Sequence, residues 1–210
     1  MRSLIRGRSL RHSGAFLPAF RSCSIFPKAW GTLPANSTLA ALKEAFAVER
    51  LERVALLETA AGKRFFLAPV GVDEGWTVFD KCSLIAGARR LAARFLPDTS
   101  VAVLSGGRLG DVGRHGQVDR SLADAELVAR LTSADHAEIL IEDAVSTHSI
   151  IIAPDGISGN LIFRTLVFLG NGSAHGAPVL NIDKIFVDTS RASIDYSNAI
   201  KLAAALAKEI

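Results

Sequence analysis

Apolar and polar residues alternate along this chain in blocks that predict strands and helices in turn. Apolar runs bounded by turn residues predict strands at Val54–Thr59, Arg64–Val70, Val101–Ser105, Glu138–Asp143, Ser149–Pro154 and Lys184–Val187. Helical spacing predicts helices after Ser37, at Phe79–Leu96, at Ser121–Leu131, from about Gly159 and from about Ser193 to Ile210. This alternation, with several continuously apolar strands, predicts an α/β fold: a mostly parallel sheet with helices on both faces.

The first 36 residues differ from the rest of the chain. They are rich in arginine and serine, contain no acidic residue and show no lasting periodicity. Such a composition is typical of a transit peptide, of a disordered tail or of a wrongly assigned gene start. We therefore expect a leader over residues 1–36, disordered or mis-assigned, and one α/β domain over residues 37–210.

The net charge of +3 also belongs to this N-terminal region. Residues 1–43 hold seven of the 24 basic residues and no acid, which leaves 17 basic and 21 acidic residues in the remainder. This balance argues against nucleic acid as a partner. No apolar run reaches the roughly 18–20 residues that span a bilayer, so no membrane is expected and the default location is the cytoplasm.

The first candidate site is the turn between the strand ending at Pro154 and the helix that follows. Asp155 belongs to this turn, Ser158 is the expected helix cap, and Gly159 and Asn160 follow it. Free N–H groups in a first helical turn favour an anion, and glycine lets a ligand approach the backbone. An ordinary capped loop explains the pattern equally well.

The second candidate is the turn Asp188-Thr189-Ser190-Arg191 before the last helix. Arg191 suits a phosphate or carboxylate, and Ser190 offers a hydroxyl. Asp188 is a candidate either to hold Arg191 or to accept a proton. The alternative is that Asp188 only caps a helix and Arg191 is a surface charge.

A third candidate is the glycine-rich turn Ser105-Gly106-Gly107-Arg108 after a buried strand. Such a turn suits phosphate, with Arg108 as an electrostatic clamp, although a flexible surface loop is the simpler alternative. The spacing is neither that of a dinucleotide-binding motif nor that of a P-loop. The histidines lack zinc-site spacing, so no metal site is expected.

These same turns resemble the phosphotransacetylase-like superfamily. The matching positions are Pro154, Gly159, Asn160, Asp188, Ser190 and Arg191, and the segment from Glu138 to Ala144 is also similar. A closer resemblance is to the family called methanogenesis marker protein 4, or subunit X of the methyltransferase Mtx. The segments that carry it are FFLAPVGVDEG, VLSGGRLGDVGR, APDGISGNLIFRTL and FVDTSR. The resemblance extends from about Glu49 to Ile210.

The resemblance implies a phosphotransacetylase-like fold, which is also described as isopropylmalate dehydrogenase-like. In the acyltransferases of this superfamily the serine-arginine pair serves coenzyme A and the acyl phosphate, so Ser190 and Arg191 inherit that role as a hypothesis. Ala192 stands where those enzymes have glycine. Ser197 stands near their catalytic aspartate, and Asp195 lies two residues earlier.

Three functions remain open at this point. The resemblance implies a methyltransferase-associated subunit that binds an anionic or phosphorylated ligand, with other methyltransferase subunits as partners and a homodimer as a further possibility. Corrinoid or tetrahydromethanopterin would then come only through a partner. The alternatives are a phosphate acyltransferase that uses CoA and acyl phosphate, and a non-catalytic binding or regulatory subunit.

Overall fold

The computed structural model describes residues 28–29, 35–190, 192 and 195–208 of the 210-residue chain. The helices in this part are α1 (Ala35–Phe46), α2 (Val78–Ala92), α3 (Gly116–Thr132), α4 (Ile141–Thr147), α5 (Gly156–Phe168) and α6 (Ser197–Ala207). The strands are β1 (Lys28–Ala29), β2 (Ala55–Glu58), β3 (Arg64–Ala68), β4 (Val101–Val103), β5 (Asp135–His136), β6 (Ile150–Ile152), β7 (Ser173–Ala174), β8 (Ala177–Pro178) and β9 (Phe186–Asp188). A short 3₁₀ helix covers Leu109–Asp111.

The main sheet contains six strands in the order β5-β4-β6-β3-β2-β7. The first four strands in this order run parallel to their neighbours, whereas β2 pairs antiparallel with both β3 and β7. The predicted α/β class with a mostly parallel sheet is therefore confirmed.

Strand β6 illustrates why the chain folds in layers. Its three isoleucines are fully buried, and successive side chains of a strand point to opposite faces. Ile150 and Ile152 pack with α2, α3 and α6, whereas Ile151 packs with α4 and α5. A continuously apolar strand thus places helices on both faces of the sheet, as predicted.

A second sheet of three strands, β1-β9-β8, lies beside α1. Leu42 of α1 is fully buried against Phe186 of β9. Strand β1, which falls within the predicted leader, pairs parallel with β9 through Lys28 and Phe186. The position of the leader boundary stays a prediction, because residues 1–27 and 30–34 lie outside the described part.

The predicted strand at Glu138–Asp143 is wrong. Glu138 has a positive φ of 54°, which breaks an extended conformation, and α4 begins at Ile141. The edge strand is instead β5, at Asp135–His136. The apolar run here is only three residues long, and a run this short does not distinguish a strand from a buried helix.

Several predicted helix starts also differ from the structure. Helix α3 begins at Gly116 rather than at Ser121, and the ring of His115 caps it by accepting the N–H of Gln117. Ser121 lies inside the helix, where its hydroxyl accepts the N–H of Gly106. The last helix begins at Ser197, four residues after the predicted start.

No helix in the described ranges combines the length and the apolar character that crossing a membrane requires.

Candidate functional site

A cleft of about 650 Å³ lies between the main sheet, the small sheet and three helices. A volume of this size suits a small-molecule ligand. The wall combines apolar side chains with several polar ones, contributed by α1, α5, α6, the loop after β3 and the turn after β9. The polar members are Thr38, Arg53, Asn160, Arg164, Asp188, Thr189, Ser190, Asp195 and Tyr196.

The first predicted turn contributes one of its residues to this cleft. Asn160, in the first half of α5, lines the wall and donates an amide hydrogen to the carbonyl oxygen of Val70 at 3.0 Å. This hydrogen bond fixes the side chain between α5 and the loop after β3. Asp155, Ser158 and Gly159 are not among the residues that line the cleft.

Asp155, rather than Ser158, caps α5. Its carboxylate accepts the N–H of Ser158 at 2.8 Å, and the helix begins at Gly156. A Cβ atom on Gly156 would overlap the carbonyl oxygen of Gly71, and one on Gly159 would overlap that of Pro69. These glycines therefore allow the loop after β3 to pack against α5. Ligand contacts of Asp155, Ser158 and Gly159 stay a prediction.

The second predicted turn reaches the same cleft through Asp188, Thr189 and Ser190. Strand β9 ends at Asp188, so the chain leaves the small sheet directly at the cleft wall. The hydroxyl of Ser190 accepts the N–H of Ala192 at 3.3 Å. Arg191 lies outside the described residues. The two predicted turns thus converge through Asn160 and Ser190.

Asp188 is bound to an arginine that the sequence did not single out. Arg53 Nη1 donates to Asp188 Oδ2 at 2.7 Å, and its Nε donates to Glu74 Oε1 at 2.5 Å. Asp73 Oδ1 lies 3.6 Å from Nη2. Arg53 therefore joins the start of β2, the loop after β3 and the end of β9.

The two central residues of this network are buried: Arg53 is 8% exposed to solvent and Glu74 is 3% exposed. Burial alone would lower the pKa of Arg53, but the carboxylates of Glu74 and Asp188 outweigh it and raise that pKa above its ordinary value. The guanidinium accordingly stays charged at all accessible pH values. Its charge is matched by the surrounding carboxylates, so it is not available to a ligand.

Two other polar groups of the wall lack such compensation. The Oγ1 of Thr189 is enclosed and has no hydrogen-bond partner in the described part of the chain. Arg164, on the exposed side of α5, forms no ion pair with a described residue, and its guanidinium lies 5.2 Å from the centre of the Phe168 ring. Arg164 is therefore suited to binding an anionic ligand, whereas the Thr189 hydroxyl is closed off from the cleft in this conformation.

Asp195 is a further acidic residue of the wall. It accepts hydrogen bonds from the hydroxyl of Ser197 at 2.6 Å and from its N–H at 2.8 Å. These bonds hold the pKa of Asp195 below its usual range. An ionised carboxylate of this kind can accept a proton but not donate one near neutral pH.

The glycine-rich turn lies apart from the cleft lining. Ser105 is 1% exposed, and its hydroxyl lies 3.0 Å from His136 Nε2 and 2.9 Å from the carbonyl oxygen of Gly107. His136 Nδ1 lies 3.2 Å from a carboxylate oxygen of Glu126. The order serine, histidine, carboxylate matches that of a hydrolase relay, but the buried hydroxyl is not presented to a substrate. Binding by Ser105, Gly106, Gly107 and Arg108 stays a prediction.

Sequence patterns missed Arg53, Glu74 and Arg164. Arg53 is separated from Asp188 by 135 residues, so no local motif connects them. The available signal was that the charged Arg53 stands directly before an apolar run that begins with the buried Val54. Within the described ranges, no three His, Cys, Asp or Glu side chains lie close enough together to hold a metal ion.

Comparison with known proteins finds closely similar sequences among methanogens. A Methanosarcina barkeri protein named "Putative methyltransferase mtx subunit X" is 52% identical over 181 residues, which cover 84% of this chain and 67% of that protein. A Methanosarcina mazei protein of the same name is also 52% identical over 84% of this chain and covers 65% of its own length. The matched segment therefore spans about two thirds of these relatives. No known family model matches the chain.

Solved structures of phosphotransacylases share the fold. A branched-chain phosphotransacylase from Enterococcus faecalis has a TM-score of 0.65 at 18% identity, covering 90% of this chain and 75% of that one. A phosphotransacetylase from Streptococcus pyogenes has a TM-score of 0.67 at 21% identity, covering 87% and 63%. The expected phosphotransacetylase-like fold is confirmed. At these identities the likeness concerns the fold alone.

Proposed function

Since the chain belongs to the Mtx subunit X family, we propose that it is a subunit of a methanogen methyl-transfer system and binds an anionic or phosphorylated ligand in the cleft. The observation that carries the ligand proposal is the convergence of Asn160 and Ser190, from two turns far apart in sequence, on one cleft. We place this function in the cytoplasm, with the other subunits of the methyltransferase as partners.

The charges of the wall support an anionic ligand. Arg53 is neutralised by Glu74 and Asp188, whereas Arg164 forms no ion pair within the described residues. A ligand anion can therefore bind Arg164 without displacing a protein carboxylate.

The rest of the wall supports a ligand that also has an apolar part. Leu39, Val70, Phe163 and Phe186 line the cleft, and the ring of Tyr196 combines an apolar face with a hydroxyl. An acyl or pantetheine-like chain that carries a phosphate fits this division. Methyl transfer itself would use corrinoid or tetrahydromethanopterin supplied by a partner subunit.

Thermal unfolding of the full chain tests ligand binding. We would compare CoA, acetyl phosphate, inorganic phosphate and tetrahydromethanopterin, because a ligand that prefers the native state raises its stability, by about 2.7 kcal/mol at 100 times Kd. Arg164→Gln should lower the affinity for the ligand that stabilises the wild-type protein at least tenfold. The matched control is Arg130→Gln, an exposed arginine on α3.

The two variants distinguish binding in the cleft from binding elsewhere. A stabilisation by ligand that is lost in Arg164→Gln and kept in Arg130→Gln supports ligand binding in the cleft. No response to any of the four compounds, or an equal response in both variants, contradicts it.

One observation favours a phosphate acyltransferase as the second candidate. Ser190 and the Asp195 carboxylate line the same cleft, so a hydroxyl and a proton acceptor are both present there. This function predicts that acyl-CoA and phosphate form from acyl phosphate and CoA, and that Ser190→Ala removes most of the turnover. Ligand binding without turnover across a panel of short acyl phosphates, together with co-purification of methyltransferase subunits, selects the non-catalytic subunit.

A further inference from the structure

At the carboxyl ends of the neighbouring strands β4 and β6, the chain leaves the main sheet toward opposite faces. After β4 the chain continues into α3 on one face of the sheet, and after β6 it continues into α5 on the opposite face. The two strands are direct neighbours and run parallel. In open α/β sheets, ligands commonly bind in the crevice outside such a divergence.

Lys81 of α2 lies at this crevice and is only 4% exposed. Its charged neighbours belong to α3 and to the turn after β6, namely Asp124, Arg120 and Asp155, together with Asp80 of its own helix. Lys81 forms no hydrogen bond and no ion pair through its side chain with any residue in the described ranges. The ammonium is not fully enclosed, so its three hydrogens are open to a ligand, while the rest of the side chain is buried.

The nearby carboxylates are already bound to other groups. Asp124 forms an ion pair with Arg120 at 2.9 Å, and Asp80 forms one with Arg50 at 2.9 Å. Asp155 accepts the N–H of Ser158. These carboxylates attract Lys81 at longer range, but none of them binds its ammonium directly.

Burial has the expected effect on this side chain. It lowers the pKa of Lys81, and the attraction of Asp124, Asp155 and Asp80 offsets the change only in part. A negatively charged ligand group in contact with the ammonium would supply the missing compensation.

The glycine-rich turn borders the same part of α3. The N–H of Gly106 donates to the hydroxyl of Ser121 at 2.8 Å, one residue from Arg120. A Cβ on Gly107 would lie 2.7 Å from a methyl carbon of Val118, so glycine is needed for the turn to pack here. The turn after β4, Lys81 and the Asp155 turn thus lie around the same end of the sheet, and none of them is among the residues that line the cleft.

We propose that this crevice is a second binding site, for a small oxyanion of the phosphate type, with Lys81 as its main ligand-binding side chain. An ammonium has three donors and no acceptor, so it suits oxygen atoms, and its charge on a largely buried side chain favours a negative partner. The same chemistry is offered by free inorganic phosphate and by the phosphate group of a small monoester.

Calorimetric titration of the full chain tests the site, with inorganic phosphate and glycerol 3-phosphate as probes at constant ionic strength. The variants are Lys81→Met and, as a matched control, Lys208→Met, which removes an exposed lysine. Arg164→Gln reports on the cleft. We expect Lys81→Met to weaken binding of at least one probe tenfold or more, and Lys208→Met to keep that binding within twofold, whereas Arg164→Gln should affect only the part of the titration that belongs to the cleft.

The two probes distinguish the sources of the oxyanion. Preference for inorganic phosphate indicates the free ion, and preference for glycerol 3-phosphate indicates a monoester. Equal binding of both probes by wild type and Lys81→Met overturns the proposal, as does the lack of saturable binding by wild type at millimolar probe.

A second measurement needs no variant and therefore does not depend on the folding of Lys81→Met. Reductive methylation of the wild-type protein, followed by peptide mass spectrometry, gives the reaction rate of each lysine. The probe that binds should slow the modification of Lys81 at least threefold and leave Lys208 unchanged. Equal rates at Lys81 with and without both probes would overturn the proposal.

Discussion

Arg53 Nη1 donates a 2.7 Å hydrogen bond to Oδ2 of Asp188, and so joins the start of β2 to the end of β9 across 135 residues of sequence. The Nε of the same guanidinium donates to Glu74, in the loop after β3. Because Val72 of that loop and Asp188 both line the cleft, Arg53 fixes two parts of the wall relative to each other. Arg53 therefore acts as a positioning residue in this account.

Arg53→Met should destabilise the protein by about 3–5 kcal/mol, because it leaves the buried Glu74 carboxylate without its partner. Equilibrium denaturation in urea measures the change. Arg64→Met is the control, since Arg64 is an exposed arginine paired with Glu58 and should change stability little. A loss below about 1 kcal/mol for Arg53→Met would contradict the role of the network.

Gly159→Ala should cost about 1–3 kcal/mol or more, because the added Cβ meets the carbonyl oxygen of Pro69 and the loop must move away from α5. The comparison is Gly110→Ala, where no heavy atom lies within 4 Å of the added carbon. Thermal unfolding of the two variants checks the difference. Equal stability would show that α5 and the loop do not pack as described.

The cap of α5 gives a direct choice between two residues. Asp155→Ala should lower the free energy of unfolding by about 0.5–2 kcal/mol, because the N–H of Ser158 loses its acceptor. Ser158→Ala should have a smaller effect, since its backbone N–H still donates to Asp155. The opposite ranking in urea denaturation would restore Ser158 as the cap.

Lys81 should make stability depend on pH in the alkaline range. Its folded-state pKa lies below the ordinary lysine value of about 10.4, so between these two values the unfolded chain binds more protons than the folded chain. In phosphate-free buffer, the stability of wild type relative to Lys81→Met should therefore rise as the pH increases toward about 10. A difference that stays flat or falls over this window would contradict the assigned burial.

The layers of the fold could be predicted because they depend on local periodicity. The buried isoleucines Ile150, Ile151 and Ile152 form an unambiguous strand, and the helices around it follow from spacing. The run from Ile139 to Ile141 was misread because the positive φ of Glu138 leaves no trace in a hydrophobic pattern. Cap residues were misplaced where two polar candidates stood within three residues, as with Asp155 and Ser158.

The candidate site could be predicted only in part. Asn160, Asp188 and Ser190 line one cleft, as their place near two strand-to-helix junctions suggested, whereas their contacts with a ligand stay a prediction. Arg53 and Arg164 were missed because their roles depend on tertiary contacts. The sequence offered Arg191 as one candidate partner of Asp188 within the same turn, whereas the described structure places Arg53 against it.

The central claim is that the two turns form one ligand site. A ¹⁵N NMR titration of the full chain with the compound that stabilises it most tests this directly, through the backbone amides of Asn160, Thr189 and Ser190. The account predicts that all three signals shift along one binding curve with a single Kd. A ligand without a phosphate group should not bind beside Lys81, so the amide signal of Gly106 should then stay unchanged. Shifts at only one turn, or two curves with different midpoints, would contradict it.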